Sequence, residues 1–111
     1  MIERSRLFYI AVYESNAGIR GVAGLDMNEI RILCVSPGLR RHGIGSALLE
    51  HLIGMVPPAL FPDMFVYASP AAVPFYKSAG FVVKGPLAFE FAGSRLQTVF
   101  MARPVCNTEA P

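Results

Sequence analysis

The hydrophobic positions of this chain follow a strand-like period first and a helical period later. Residues 7–14 are rich in aromatic and β-branched side chains, which is typical of a β-strand. Turn-forming residues at 15–18 and a weaker, glycine-containing strand at 19–25 would complete a hairpin. Residues 30–35 are nearly all apolar, which predicts a strand near the centre of a sheet.

From residue 44 onward, the apolar residues recur at intervals of three or four. Ile44, Leu48 and Leu52 lie on one predicted helical face, and the helix should end before Pro57. Residues 63–68 predict a further strand, which we expect to run parallel to strand 30–35 because a helix separates the two.

A second helix is predicted over residues 71–79. Ser69 and Pro70 have helix-start chemistry, and Gly80 is a favourable helix terminator. Residues 81–102 predict closing strands around a turn at 93–95. The resulting order is β-β-β-α-β-α-β-β, an α+β fold in which two helices pack on a mixed sheet. We expect one domain over residues 1–103 and a flexible tail over 104–111, since 111 residues suffice for one core.

Composition bears on the partners of this domain. Hydrophobic residues make up 53% of the chain and charged residues only 16%, so disorder is not expected. So few charges on a small domain predict an apolar surface that a partner covers, and we expect a homodimer. Elution from a sizing column at the monomer mass over a wide concentration range would contradict this. The net charge of +2 and the lack of a long basic run argue against nucleic-acid binding.

The chain shows no sign of secretion, membrane insertion or metal binding. Its first residues lack the apolar segment of a signal peptide, and no apolar run reaches the ~18 residues of a membrane span. We therefore expect a soluble cytoplasmic protein. Cys34 and Cys106 form neither a disulfide framework nor a metal cluster. Cys34 lies among apolar neighbours, which favours a packed core residue over a reactive thiol.

The turn between strand 30–35 and the first helix carries candidate chemistry. A glycine-rich turn that enters a helix directs several backbone N–H groups, and the positive end of the helix dipole, at one point. Gly43 and Gly45 allow close approach of a ligand, and Arg40 and Arg41 can neutralise phosphate. A pyrophosphate is the natural ligand, although an ordinary strand-to-helix turn remains an alternative. The turn lacks the Gly-Lys-Ser/Thr of a Walker P-loop, and Leu48 stands where a dinucleotide fingerprint needs its third glycine.

The string IRILCVSPGLRRHGIGSALLEHL resembles the acetyl-CoA-binding motif of the GCN5-related N-acetyltransferases (GNAT family). Arg40, Gly43 and Gly45 match the family pattern R/Q-x-x-G-x-G/A. A second family signature, A-x-x-x-Tyr followed by Gly-Phe, is matched downstream by Ala72, Tyr76 and 80–81. The two signatures stand in the family's order, and the resemblance spans residues 7–102.

The resemblance implies acetyl-CoA as cosubstrate and no metal. Strands 30–35 and 65–68 would splay apart and admit the pantetheine arm, which would pair with the backbone at 33–35. The pyrophosphate would lie on the N–H groups of residues 41–46. The residues expected to bind the cofactor are Leu33, Cys34, Val35, Arg40, Arg41, His42, Gly43, Ile44, Gly45, Ser46, Ser69 and Ala72.

The resemblance also implies direct attack of an amine on the thioester, with the Val35 N–H as a candidate to polarise the carbonyl. Tyr76 occupies the family's general-acid position, and the alternative is a core tyrosine at a helix end. Glu29 is the best candidate for the general base, acting through water, and the alternative is a solvated carboxylate. Asp26 and Glu90 are lesser candidates for the base.

The chain departs from the family pattern in three places. Only residues 1–6 precede the first predicted strand, where family members usually carry a strand and two helices that wall the acceptor site. We expect either an open acceptor site or a wall supplied by a second copy of the chain. Ser69 stands where the family often has Asn, and Ser78 where it often has Lys. A non-catalytic acyl-CoA-binding or regulatory module is therefore an alternative to an enzyme.

Overall fold

The computed structural model describes residues 8–39 and 43–105. Within them, six strands and two α-helices follow the predicted order, which confirms the α+β class. The strands are β1 (Phe8–Ser15), β2 (Gly18–Asp26), β3 (Glu29–Val35), β4 (Asp63–Ala68), β5 (Val82–Phe91) and β6 (Ser94–Pro104). The α-helices are α1 (Ile44–Met55) and α2 (Val73–Ser78), and short 3-10 turns occupy Pro37–Leu39 and Pro70–Ala72.

The six strands form one sheet in the order β1-β2-β3-β4-β6-β5, so β3 lies inside the sheet as predicted. Only β3 and β4 run parallel among the paired strands of this sheet. Their pairing is limited to Glu29 with Phe65 and Ile30 with Val66. Beyond these two pairs the strands separate, which confirms the predicted splay and leaves a gap in the middle of the sheet.

The core lies between one face of the sheet and the two helices. Helix α1 buries Leu49 and Leu52 almost completely, and β4 contributes Met64 and Val66 from the facing side. Full burial of each such side chain contributes about 2 kcal/mol relative to exposure. This face therefore fixes the position of α1 over the inner strands, and α1 holds the candidate turn at its N-terminus.

A β-bulge in β3 changes which side chains face the helices. Leu25 pairs with Ile30 whereas Gly24 pairs with Ile32, so Arg31 is an extra residue on β3. Ile30 faces the core before the bulge, and beyond it the odd-numbered residues do. Cys34 therefore points to the opposite face and is exposed, so the prediction that it is a packed core residue is wrong.

The predicted second helix is divided in two by its prolines. Residues 70–72 form a 3-10 turn, and the α-helix begins only at Val73. Pro74 has no backbone N–H, so it is compatible with the first turn of an α-helix but not with its interior. The split leaves α2 short, and the residues predicted for its start lie instead in a tighter turn beside the gap.

The end of the described chain is more ordered than predicted. β6 continues through Pro104, and the buried Val105 donates its N–H to the carbonyl of Pro62 over 2.8 Å. The prediction of a flexible tail is therefore wrong for these two residues, and the rest of that predicted tail, 106–111, lies outside the described residues. β5 is one continuous strand with an irregularity near Gly85.

The sheet face opposite the helices is apolar and open. Phe65, Tyr67, Phe89 and Phe100 form an aromatic cluster there, with ring centroids 5.3–5.7 Å apart. Exposed aliphatic side chains of β1 continue the same face. This surface accounts for the high hydrophobic content of the chain.

None of the helices within residues 8–39 and 43–105 has the length and hydropathy that a bilayer crossing requires.

Candidate functional site

The gap between β3 and β4 opens into a cavity of about 770 Å³ that extends to the N-terminus of α1. This volume lies within the usual range for small-molecule sites. The lining residues are Leu33, Cys34, Val35, Gly43, Gly45, Ser46, Ser69, Ala71, Ala72 and Phe75. Every described residue predicted to bind the cofactor is in this lining except Ile44, whose side chain is buried in the core. Arg40, Arg41 and His42 lie outside the described residues.

Two lining residues, Ala71 and Phe75, were not predicted. Phe75 lies three residues after Ala72, and residues separated by three or four positions in a helix lie on the same side. Extending the helical period from Ala72 therefore identifies Phe75. Its ring also lies near α1, where a Cβ on Gly45 would meet it at 3.5 Å.

The N-terminus of α1 presents to the cavity backbone donors that have no acceptor within the helix. Gly43 precedes the helix in a left-handed conformation, with φ of 82°, and provides no side-chain cap. The first N–H bonded within the helix is that of Ala47, which donates to the Gly43 carbonyl over 3.0 Å. The N–H groups of 44–46 precede it and have no acceptor in the helix. Together with the helix dipole, these donors make this end of the cavity suitable for an anion.

Gly45 allows α1 to approach its neighbours closely. A Cβ atom at this position would lie 3.5 Å from the ring of Phe75 and 3.7 Å from Val35 Cγ2. One methyl group would therefore be in ordinary contact, whereas a branched side chain would either overlap the ring or project into the cavity. This makes Gly45 the position at which added volume most directly tests the site.

A second cavity, of about 330 Å³, adjoins the first at the gap. Its lining residues are Ile30, Arg31, Ile32, Leu33, Cys34, Val66, Tyr67, Ala68, Ser69, Ala72 and Tyr76. The residues common to both cavities are Leu33, Cys34, Ser69 and Ala72. The two spaces thus meet at these four residues, and molecules bound in the two cavities would come into contact there.

The end of α2 fixes the orientation of Tyr76. The Gly80 N–H donates to the Lys77 carbonyl and the Phe81 N–H to the Tyr76 carbonyl, each over 3.0 Å. This is the Schellman arrangement, and Gly80 adopts the left-handed φ of 94° that it needs. Phe81 then packs against the Tyr76 ring with centroids 5.3 Å apart. The Tyr-to-Gly-Phe spacing in the sequence is therefore a helix terminator that holds the tyrosine in place.

Tyr76 is 6% exposed, and its side chain lines the second cavity. Burial, with a smaller contribution from the nearby Cys34 thiol, raises the pKa of Tyr76 to about 12. Among the described residues, its hydroxyl has no hydrogen-bond partner. The phenol therefore remains protonated at neutral pH and can donate a hydrogen bond in the second cavity, whose lining it shares with Cys34.

Glu29 is in neither cavity lining, although its neighbours Ile30 and Arg31 line the second cavity. It pairs with Phe65 where β3 and β4 are still joined, and its Oε1 is 3.8 Å from Arg31 Nη1. Burial raises the pKa of Glu29, and Asp26 adds to this while Arg31 opposes it. Strand residues rise about 3.3 Å each, so Glu29 is separated from Cys34 by roughly 16 Å along β3. A proton could pass between this carboxylate and the cavity junction only through water.

The other two carboxylates considered as bases are also outside the cavity linings. Asp26 forms an ion pair with Arg31 at 3.0 Å. Glu90 lies near the β5–β6 hairpin turn, 3.8 Å from Arg95, with a well-exposed side chain. Neither has a position that favours it over Glu29.

Comparison with protein families and curated sequences gives one match. The model of the acetyltransferase (GNAT) domain matches residues 1–102. No curated protein sequence matches the chain significantly.

Solved structures share the fold at low identity. A GCN5-related N-acetyltransferase from Rhodopseudomonas palustris superposes with a TM-score of 0.83 at 21% identity, covering 87% of this chain and 61% of that one. Ribosomal-protein-S18-alanine N-acetyltransferase from Escherichia coli gives 0.73 at 22% identity, with coverages of 94% and 73%. An aminoglycoside 6'-N-acetyltransferase complexed with coenzyme A gives 0.77 at 14%, with coverages of 93% and 76%. This chain therefore spans less than two thirds of the Rhodopseudomonas protein.

Proposed function

We propose, because the chain belongs to the GNAT acetyltransferase family, that it moves an acetyl group from acetyl-CoA to an amine acceptor by direct attack. The observation that carries this proposal is the continuous cavity between the N-terminus of α1 and the gap in the sheet. An anion-binding end and an unpaired strand edge lie along one cavity. An extended ligand with a phosphate group at one end matches that arrangement.

The residues of the cavity fit such a ligand. The N–H groups of 44–46 can receive a pyrophosphate, and Gly45 adds no side chain that would obstruct it. Beyond Ile30 the edge of β3 that faces β4 has no strand partner, so its backbone can pair with a polar pantetheine arm. Contacts from Arg40, Arg41 and His42 to the phosphates remain predictions.

The second cavity is the proposed entrance for the amine. Acetyl-CoA supplies an activated thioester, and the chain must hold the amine against it and stabilise the departing sulfur. In this proposal Tyr76 donates its O–H from the second cavity to the departing sulfur. Because the pKa of Tyr76 is raised to about 12 and a thiol has a pKa of about 8.5, the phenol stabilises a thiolate chiefly by hydrogen bonding.

Glu29 is the proposed base, acting through water. Its replacement by glutamine should remove the decrease in kcat/KM that the native protein shows at low pH. The carboxyl group must be ionised to accept a proton, so activity falls as pH drops through its pKa. Burial raises that pKa, so the decrease in activity should begin at a higher pH than an ordinary glutamate would give. Loss of the base should lower kcat/KM at neutral pH by about a hundredfold. The matched control is Glu90→Gln, and an unchanged pH profile in the Glu29 variant would identify Glu29 as a solvated strand-end carboxylate.

The central experiment measures cofactor binding and turnover separately. Acetyl-CoA should raise the melting temperature, since a ligand at a hundred times its Kd stabilises the folded state by about 2.7 kcal/mol. Thiol release is then followed across a panel of small amines, peptide N-termini and lysine side chains. No shift at saturating cofactor would contradict both an enzyme and a non-catalytic acyl-CoA-binding module. A shift with no thiol release from any amine would favour the module.

We also propose that the protein forms a homodimer, as its composition predicts. The aromatic and aliphatic sheet face opposite the helices is the surface that we expect a second copy to cover. The exposed aromatic side chains on that face suit association with an equally apolar surface. Sizing chromatography over a range of concentrations tests this expectation.

A further inference from the structure

Cys34 lies at the junction of the two cavities with an exposed side chain. Of the four residues common to both linings, it alone carries a thiol. The β3 bulge at Arg31 turns it out of the core, so its sulfur is accessible from the gap in the sheet. Neither the direct-attack mechanism nor the packing of the core uses this thiol.

A second feature beside this junction points to a ligand. Tyr76 is more than nine-tenths buried and lines the second cavity, and its hydroxyl has no hydrogen-bond partner among the described residues. The hydroxyl oxygen itself is not sealed from solvent, so a polar atom of a bound molecule can pair with it there. The Cys34 thiol is close enough to raise the pKa of Tyr76, so that atom would also lie near the thiol.

We propose that Cys34 is a site of covalent capture for the thiol end of coenzyme A, which reacts there as its disulfide. The inference rests on the proposed function for the position of the cofactor, whose phosphate end would lie at α1 and whose sulfur would lie at the gap. The Cys34 thiolate attacks one sulfur of CoA disulfide, and the sulfur–sulfur bond of the reagent breaks. A new bond joins Cys34 Sγ to one CoA, and the other CoA leaves as a thiolate that takes up the proton lost by Cys34.

This exchange needs no further oxidant, because one disulfide is converted into another. Binding of the phosphate end at α1 would hold the reacting sulfurs together and raise their effective concentration. The product would fill the cavity and block acetyl-CoA. A dithiol reductant would release CoA and restore the free thiol.

The test uses the full chain with Cys106→Ser, so that Cys34 is its single cysteine. The protein is treated with CoA disulfide or, at equal concentration, with glutathione disulfide, and intact mass is followed with time. We expect one adduct with the mass of CoA less two hydrogens, formed at least about tenfold faster than the glutathione adduct. Cys34→Ser should form no adduct, and Gly45→Val should slow the CoA reaction to the glutathione rate.

Equal rates for the two disulfides, or no adduct with either, would overturn the inference. The melting shift caused by acetyl-CoA is measured on the same Cys106→Ser protein. A normal shift without selective capture removes this inference and leaves the proposed function intact. If there is neither a shift nor an adduct, both are overturned.

Discussion

Replacement of Gly45 by valine should lower the affinity for CoA by at least about a hundredfold, or about 2.7 kcal/mol. A Cβ at this position already meets the Phe75 ring at 3.5 Å and Val35 Cγ2 at 3.7 Å. The two additional methyl groups of valine must then displace the ring or occupy the cavity beside the free N–H groups of α1. Either outcome denies a pyrophosphate its close approach to the backbone.

The measurement is the Kd of acetyl-CoA by calorimetry, with the melting temperature of the free protein recorded alongside. Gly54→Val is the matched control, because it makes the same change in the same helix at a position where the new Cβ meets nothing within 4 Å. Gly45→Ala should bind CoA more weakly than the native chain but much better than valine, since its methyl group makes only ordinary contacts. Unchanged affinity in a folded Gly45→Val protein would mean that the phosphates bind elsewhere.

The order of the elements could be predicted because its determinants are local. The change from strand to helix period at Ile44 and the stop at Pro57 depend only on neighbouring residues. The Schellman end of α2 is also local, since Gly80 and Phe81 close it with bonds to residues within one turn. These local features are enough to place the candidate turn at the N-terminus of α1.

The environment of Cys34 could not be predicted in the same way. Its sequence neighbours are apolar, which favoured burial, but the bulge at Arg31 depends on how β3 registers against β2. A shift of one residue moves every later side chain to the other face of a sheet. Register is a property of two segments, so a single segment gives no sign of it. The Cys34 thiol, which its sequence neighbours assign to the core, therefore lines the cavity instead.

The separation of β3 and β4 is likewise a tertiary feature. The sequence indicates two apolar strands joined by a helix, and parallel pairing was expected from that order. That the pairing stops after Ile30 and Val66 was expected only from the family resemblance. The N-terminus of α1 and the Pro70–Ala72 turn both contribute residues to the cavity at this gap, and the gap is what converts a sheet into a candidate binding site.

The Tyr76→Phe variant should lose about a hundredfold in kcat while binding acetyl-CoA with unchanged affinity. Tyr76, on α2, lines the second cavity, and its replacement by phenylalanine removes only the hydroxyl oxygen. Its ring contacts with Phe75 and Phe81, at 5.1 and 5.3 Å between centroids, would be retained. Because the hydroxyl has no partner among the described residues, the free energy of unfolding should change by less than about 1 kcal/mol.

Thiol release at saturating amine and acetyl-CoA measures this loss, and Tyr13→Phe, on β1 and outside both cavity linings, is the matched control. In the native protein, deprotonation of Tyr76 should not lower kcat at moderately alkaline pH, since burial raises its pKa to about 12. A donor that stays protonated stabilises the departing sulfur at every lower pH, so the loss in Tyr76→Phe should not depend on pH. An unchanged kcat would make Tyr76 a core tyrosine at a helix end, and the departing sulfur would have to be stabilised by another group.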